Sequence, residues 1–318
     1  MTELQLDIRD AFFEELHRIA SIDRNLVFLT ADMSAFSLER FKKDLPEQYV
    51  NVGVAEQNMV SIAAGLALTG KRVFIYAIAP FITMRCYEQI KVDLSTMRLP
   101  VTIIGMGPGI TYNSDGPTHH ATEDISIMRV LPGITILSLS DPVMAGKAAG
   151  ISYANEGPTY IRLDKGALPR LYTIDSDFSD GVSLLREGRD ALIITTGAMV
   201  HQASEVAAEL STQGVSAGVA DVYRIKPLND GLLLSYIKEA ERLVTLEEHS
   251  IAGGLGSIVS ELLHDNDISK PLKRLGLPDE SLHRYGSRGW MHSSFGIDNA
   301  SVIKNILTWE PMMRNRAK

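Results

Sequence analysis

Apolar positions along the chain switch repeatedly between two periods. In IRDAFFEELHRIA they recur every three to four residues, the stripe of an amphipathic helix. LVFLTAD follows as a short β-rich run ending in Asp32. The alternation then repeats. YVNVG is strand-like, and AEQNMVSIAAGLALTG is expected to be a helix with Gly70 at its stop. RVFIYAI is a strand, FITMRCYEQIKVDLSTMR a helix and VTIIGMG a strand. EDISIMRVL, TILSLS, DPVMAGKAAGISYAN and PTYIRL continue as helix, strand, helix and strand. Apolar strands separated by helices imply a parallel sheet covered on both faces.

The rhythm breaks in KGALPRLYTIDSDFSDGV, which carries Pro, Gly, Ser and Asp and no period. A second series follows: ALIITTG, AMVHQASEVAAELSTQG, VSAGVADV, DGLLLSYIKEA, RLVTLEE and LGSIVSELLHD. The expected fold class is α/β, with two doubly wound domains on mainly parallel sheets. The expected division is 1–168, a linker over 169–186, and 187–318. Ligands of parallel sheets bind beyond the carboxyl ends of the strands. The loops after Thr30, Val52, Tyr76, Ile104 and Ile161 are therefore the ones to search, and Asp32, Glu56, Phe81, the 105–120 loop and Arg162 cluster on them.

Composition narrows the function. The chain has 318 residues, 45% hydrophobic and 22% charged, so a packed core is affordable. Its net charge of −8 argues against a general nucleic-acid binder. The single cysteine, Cys86, excludes an intrachain disulfide. The start is acidic and amphipathic, unlike a signal peptide. No run reaches the roughly 18 apolar residues a membrane span needs. A cytoplasmic protein is expected, with MMRNRAK as a frayed tail.

Each candidate motif has a bland reading beside the chemical one. Gly105, Gly107 and Gly109 follow a strand, but Ile110 stands where a dinucleotide fingerprint needs glycine, and Pro108 interrupts the turn. GGLG at 253–256 fits a tight turn or an anion site at a helix start. Asp115, His119 and His120 lie on a turn-rich loop, which can hold a histidine for acid–base work or be ordinary surface. The His-His spacing matches no standard zinc signature. Glu56 suits the first turn of a helix through the dipole alone. Phe81 and Tyr87 could be core aromatics. Arg162 could be a rim ion pair or a phosphate clamp.

Together these residues resemble the transketolase family of thiamine-diphosphate enzymes. LTADMS, NVGVAEQNMVSIAAGLALTGK, RCYEQIK, SDGPTHHATEDISIMRVLPGITILSLSDP and LEEHSIAGGLGSIVSELL occur in family order. The resemblance covers nearly the whole chain. It is to the pyrimidine-binding and C-terminal domains, and most closely to the second subunit of split transketolases. It implies that Glu56 hydrogen-bonds N1′ of the cofactor's aminopyrimidine and so promotes loss of the thiazolium C2 proton. Phe81 is similar to the aromatic that stacks on the aminopyrimidine, and Asp32 to the acidic residue near the thiazolium. Asp115 and His119 resemble the pair that reads substrate hydroxyls and moves protons. Arg162 resembles the sugar-phosphate clamp, Ser37 a displaced phosphate-binding serine, and Arg85 the arginine of the deoxyxylulose-phosphate synthase branch.

The sequence departs from the family pattern at YAIAPF, at Gly107 where a histidine or aspartate is usual, at Phe36 where serine is expected, and at His120 where glutamine is common. The family's G-D-G…N motif, which holds Mg²⁺ and the diphosphate, is absent. The resemblance therefore implies a partner subunit carrying that motif, in an assembly of two of each chain. The expected reaction is two-carbon ketol transfer from a ketose, phosphorylated or not, to an aldose. The alternatives are a decarboxylating thiamine-diphosphate enzyme, like the deoxyxylulose synthase or the beta chain of a 2-oxo-acid dehydrogenase, and a non-catalytic scaffold.

Overall fold

The structure, a computed structural model, describes residues 7–309. The expected tail MMRNRAK lies outside these residues. The first half runs α1 (Ile8–Ile22), β1 (Leu26–Thr30), α2 (Phe36–Asp44), β2 (Tyr49–Asn51), α3 (Glu56–Leu68), β3 (Arg72–Ile78) and α4 (Ala79–Thr83). It continues through α5 (Tyr87–Gln89), β4 (Val101–Met106), α6 (Asp124–Arg129), β5 (Thr135–Ser138), α7 (Pro142–Ala154) and β6 (Thr159–Leu163). The second half contains β7 (Ser183–Arg186), β8 (Ala191–Thr195), α8 (Met199–Thr212), β9 (Ala217–Asp221), β10 (Arg224–Lys226) and α9 (Asp230–Glu239). It ends with β11 (Leu243–Ser250), α10 (Leu255–Asp265), β12 (Leu272–Leu277), α11 (Arg288–Phe295) and α12 (Asn299–Thr308).

Two sheets result, ordered β10-β5-β6-β4-β3-β1-β2 and β12-β11-β8-β9-β7. All pairings are parallel except the edge pairs β10–β5 and β7–β9. Strand alternation buries both faces of the first sheet. Leu26 and Phe28 of β1 join one core with Phe12, Phe13 and Phe41. Val27 and Leu29 join the other, which continues into Ile194, Val222 and Leu255 of the second half. A single apolar body therefore links the two sheets.

Three expectations are corrected. Ser183–Arg186, the end of the predicted linker, is the edge strand β7, too short to show a period. Arg224–Lys226 crosses back as an antiparallel edge of the first sheet. The single helix read through 81–98 is broken: Cys86 leaves helical geometry at φ −106° and ψ 14°, and Ile90–Ser95 winds as a π-helix. Apolar spacing continues through the break, so periodicity did not reveal it. The predicted stop of α3 is there: Gly70 adopts φ +88° and donates to the Ala67 carbonyl at 3.0 Å.

Candidate active site

Glu56 is the first residue of α3, after Ala55, whose side chain gives the helix no cap. A carboxylate there is favoured by the free amides and dipole of the helix start. Its setting goes further than that: Glu56 is only 4% exposed. Oε2 accepts from Arg85 Nη1 at 2.8 Å. The Arg85 carbonyl also meets α3, accepting from Gln57 Nε2 at 3.0 Å. The Arg85 guanidinium lies 4.2 Å from the centre of the Phe81 ring. Phe81 in turn meets the His119 ring edge-on at 5.1 Å. Tyr112 stands behind His119 at 5.9 Å, and Lys165 Nζ lies 4.3 Å over the Tyr112 ring. Glu56, Arg85, Phe81 and His119 thus form one continuous surface at the carboxyl ends of β2, β3 and β4.

Asp32 lies at the end of β1 with φ +54°. Asn51, at the end of the neighbouring β2, holds this turn. Its Oδ1 accepts from the amides of Asp32 and Gly53, and its Nδ2 donates to Asp32 Oδ1 at 3.1 Å. Asp115 is exposed on the same loop as His119 and accepts from Ser114 Oγ. Thr118 Oγ1 is 2.9 Å from His119 Nδ1 and can orient that ring. His120 is buried with neither ring nitrogen hydrogen-bonded, and burial lowers its pKa. Burial pushes the Cys86 thiol up to about 12, helped by Glu56, so it is a neutral donor to the Phe81 carbonyl and no nucleophile.

Two predicted substrate ligands lie elsewhere. Arg162 is buried in the interior strand β6. Its Nε and Nη2 donate to Asp124 Oδ2 and Oδ1 at 2.7 and 3.2 Å, and Nη1 donates to Ser138 Oγ at 3.1 Å. It is not a rim pair: the side chain is buried, and each of its three nitrogens makes a hydrogen bond inside the protein. Ser37 is buried at the start of α2 and donates to Asp10 Oδ1 at 2.7 Å. The GGLG segment is likewise occupied from within: Glu247 accepts from the amides of Leu255 and Gly256 at 2.6 and 2.8 Å. Tyr112, Lys165, Gln57 and Asn51 escaped sequence reasoning. Only Asn51, a polar residue ending an apolar strand before Gly53, carried a local signal.

Among the described residues no three His, Cys, Asp or Glu side chains converge as a metal site. No helix among them is long and apolar enough to cross a membrane.

Two mainly parallel sheets with a buried carboxylate, an aromatic face and a histidine loop at the strand ends are the arrangement expected of the class that the sequence resembles. The pattern "Transketolase, pyrimidine binding domain" matches residues 5–170, and "Transketolase, C-terminal domain" matches 180–302. The chain belongs to the transketolase family. It is similar to an apulose-4-phosphate transketolase subunit of Phocaeicola vulgatus, at 34% identity over 96% of this chain and 98% of that one. It is also similar to the 6-deoxy-6-sulfo-D-fructose transketolase subunit SqwH of a Clostridium species, at 36% identity over 93% and 92% of the two chains. The solved structure described as "Split gene transketolase, inactive beta4 tetramer" superposes with TM-score 0.87 at 31% identity, over 95% of this chain and 97% of that one. The chain is thus a transketolase-type subunit, a transferase, and its family implies dependence on thiamine diphosphate.

Proposed function

We propose that this chain is the pyrimidine-binding half of a two-subunit transketolase, with its two domains meeting around residues 169–182. The reaction is transfer of a two-carbon ketol unit from a ketose, phosphorylated or not, to an aldose. The partner carries the Mg²⁺ and diphosphate ligands, and two of each chain assemble. The observation that carries this reading is the buried Glu56 carboxylate beside the half-buried Phe81 face. A dry carboxylate next to an aromatic ring suits a flat heteroaromatic with a protonatable nitrogen. When bound, thiamine diphosphate supplies the electron sink for breaking a carbon–carbon bond.

The chain's own residues then have separable tasks. Glu56 holds a proton at the aminopyrimidine ring nitrogen, and Phe81 offers the stacking face. Arg85 pairs with Glu56 while its own side chain stays 42% exposed. Asp32, held by Asn51, sets a negative charge beside a cationic ring. His119 exchanges protons with substrate hydroxyls, and Asp115 accepts from them. Arg162 and Ser37 hold no substrate phosphate in this reading.

The test combines this chain with the partner, Mg²⁺, thiamine diphosphate, a ketose and an aldose. Two-carbon transfer is expected, and Glu56→Gln should abolish it while folding is retained. Full activity in that variant would sink the proton-handling role. Carbon dioxide release from pyruvate without ketol transfer would favour the decarboxylating reading. Activity of the partner alone would favour a scaffold.

A further inference from the structure

The loop that carries Asp115 and His119 leaves β4 of the first sheet, yet it is held from the second half of the chain. Ile110 is fully buried among Ile193, Met199, Leu282 and Met291. Its amide donates to Glu248 Oε1 at 2.7 Å. Glu248 also accepts from Arg288 Nε and Nη2 at 2.7 and 3.0 Å, and its Oε2 is 2.5 Å from His292 Nε2. Arg288 reaches back to Asp164 of the first half at 2.8 Å, and Asp164 accepts from Thr111 Oγ1 at 2.9 Å.

Further contacts lie closer to the loop's tip. Asn113 Nδ2 donates to the Gly286 carbonyl. Tyr285 packs so tightly on Gly116 that a Cβ there would lie 2.7 Å from its hydroxyl. Gly109, at φ +63°, leaves no room for a Cβ, which would lie 2.3 Å from Glu248 Oε1. Both glycines thus accept the C-terminal domain at close approach.

We propose that Glu248, seated by Arg288 and His292, is a positioning residue. With the Tyr285–Gly286 turn it fixes the 109–119 loop so that His119 stands against Phe81. This gives the C-terminal domain a part in substrate handling beyond assembly, and it rests on the reading of Asp115 and His119 given above. Within the loop the backbone bonds are a Gly109–Ala121 bridge at the base and short turns, Asp115 N to the Tyr112 carbonyl at 3.1 Å and His119 N to the Gly116 carbonyl at 2.9 Å. Such local bonds leave the loop's placement against the rest of the fold to contacts outside it, and a carboxylate that holds a backbone amide, a guanidinium and an imidazole at once is a stiff source.

The test uses Glu248→Gln and, because a buried substitution can impair folding, the surface pair Asn113→Ala/Tyr285→Ala. Peptide-resolved hydrogen exchange is read on the chain itself, and kcat and KM on the assembly with its partner. The expected result is exchange accelerated about tenfold or more at 110–119, with β4 and α8 unchanged. kcat should fall and the aldose KM should rise in the same variants. Glu248→Asp should restore part of both. Unchanged exchange in the loop overturns the proposal. So does exchange that rises evenly across the C-terminal domain, or a loosened loop with wild-type kcat and KM. If the wild-type assembly transfers no ketol unit, the functional reading fails separately, and the exchange result alone decides whether Glu248 holds the loop.

Discussion

Replacing Arg162 by methionine separates a substrate clamp from an internal ion pair. Arg162 and Asp124 are 5% and 0% exposed. Burial pushes the Asp124 pKa up, but Arg162 and His249 override it and hold the group below its ordinary value. Methionine fills much of the arginine volume but leaves Asp124 charged and buried, with the Tyr160 hydroxyl at 2.7 Å as its remaining close donor. Removing one partner of a buried pair costs about 3–5 kcal/mol. At roughly 2–4 °C per kcal/mol, the melting temperature should fall by about 10 °C. Adding Asp124→Asn removes the stranded charge and keeps an acceptor for Tyr160. The double variant should recover most of the loss, because a buried pair removed as a unit is often neutral. Urea denaturation followed by circular dichroism gives the energies. Steady-state kinetics on phosphorylated and unphosphorylated ketoses gives the substrate effect. Stability lowered by less than about 1 kcal/mol, the ordinary cost of a surface pair, would refute the reasoning if the KM for phosphorylated donors alone rose.

Two further expectations concern the scaffold. Asp221 is pushed up to about 7 by burial, which outweighs the donors Ser140 and Tyr172. Its folded pKa exceeds its unfolded one, so its contribution is full below about pH 4 and is lost as pH rises to about 7, on the order of 4 kcal/mol. Glu247, also raised to about 7, acts with the same sign. Buried His249, lowered to about 4, acts with the opposite sign below about pH 6.5. Asp221→Asn should therefore make the decline in urea midpoint between pH 5 and 7.5 clearly shallower, and an unchanged slope would contradict the assignment. Gln48 Nε2 donates to the carbonyls of Ala20, Asp23 and Leu26 at 3.1, 3.0 and 2.9 Å. Gln48→Ala should lower stability by about 2–3 kcal/mol with kcat unchanged, measured by denaturation and by assay of the assembly.

How legible the site was depended on whether a residue's role is local. Glu56 was readable because a helix start, a strand end and a short motif coincide within a few residues. His119 and Asp115 were readable as members of a turn-rich loop after a strand. The break at Cys86 was not, since the apolar spacing on either side continues as if one helix ran through. Arg162 carried the right residue type at the right strand end, yet its partner Asp124 lies 38 positions away and spends its charge. Ser37 likewise meets a partner far along the chain, its hydroxyl donating to Asp10.

By itself, the order of apolar periods determined the α/β class, the alternation of strands and helices and the two series, because burying both faces of a parallel sheet demands continuous apolar strands. Short motifs determined the family and pointed to Glu56 and His119. Tertiary structure alone decided which charges stay available for chemistry. It pairs Arg162 with Asp124, fills the GGLG helix start with Glu247, sets Arg85 on Glu56 and ties the His119 loop to Glu248. The physical reason is that a buried charge must find a partner wherever the fold brings one, and that distance is not written in sequence spacing.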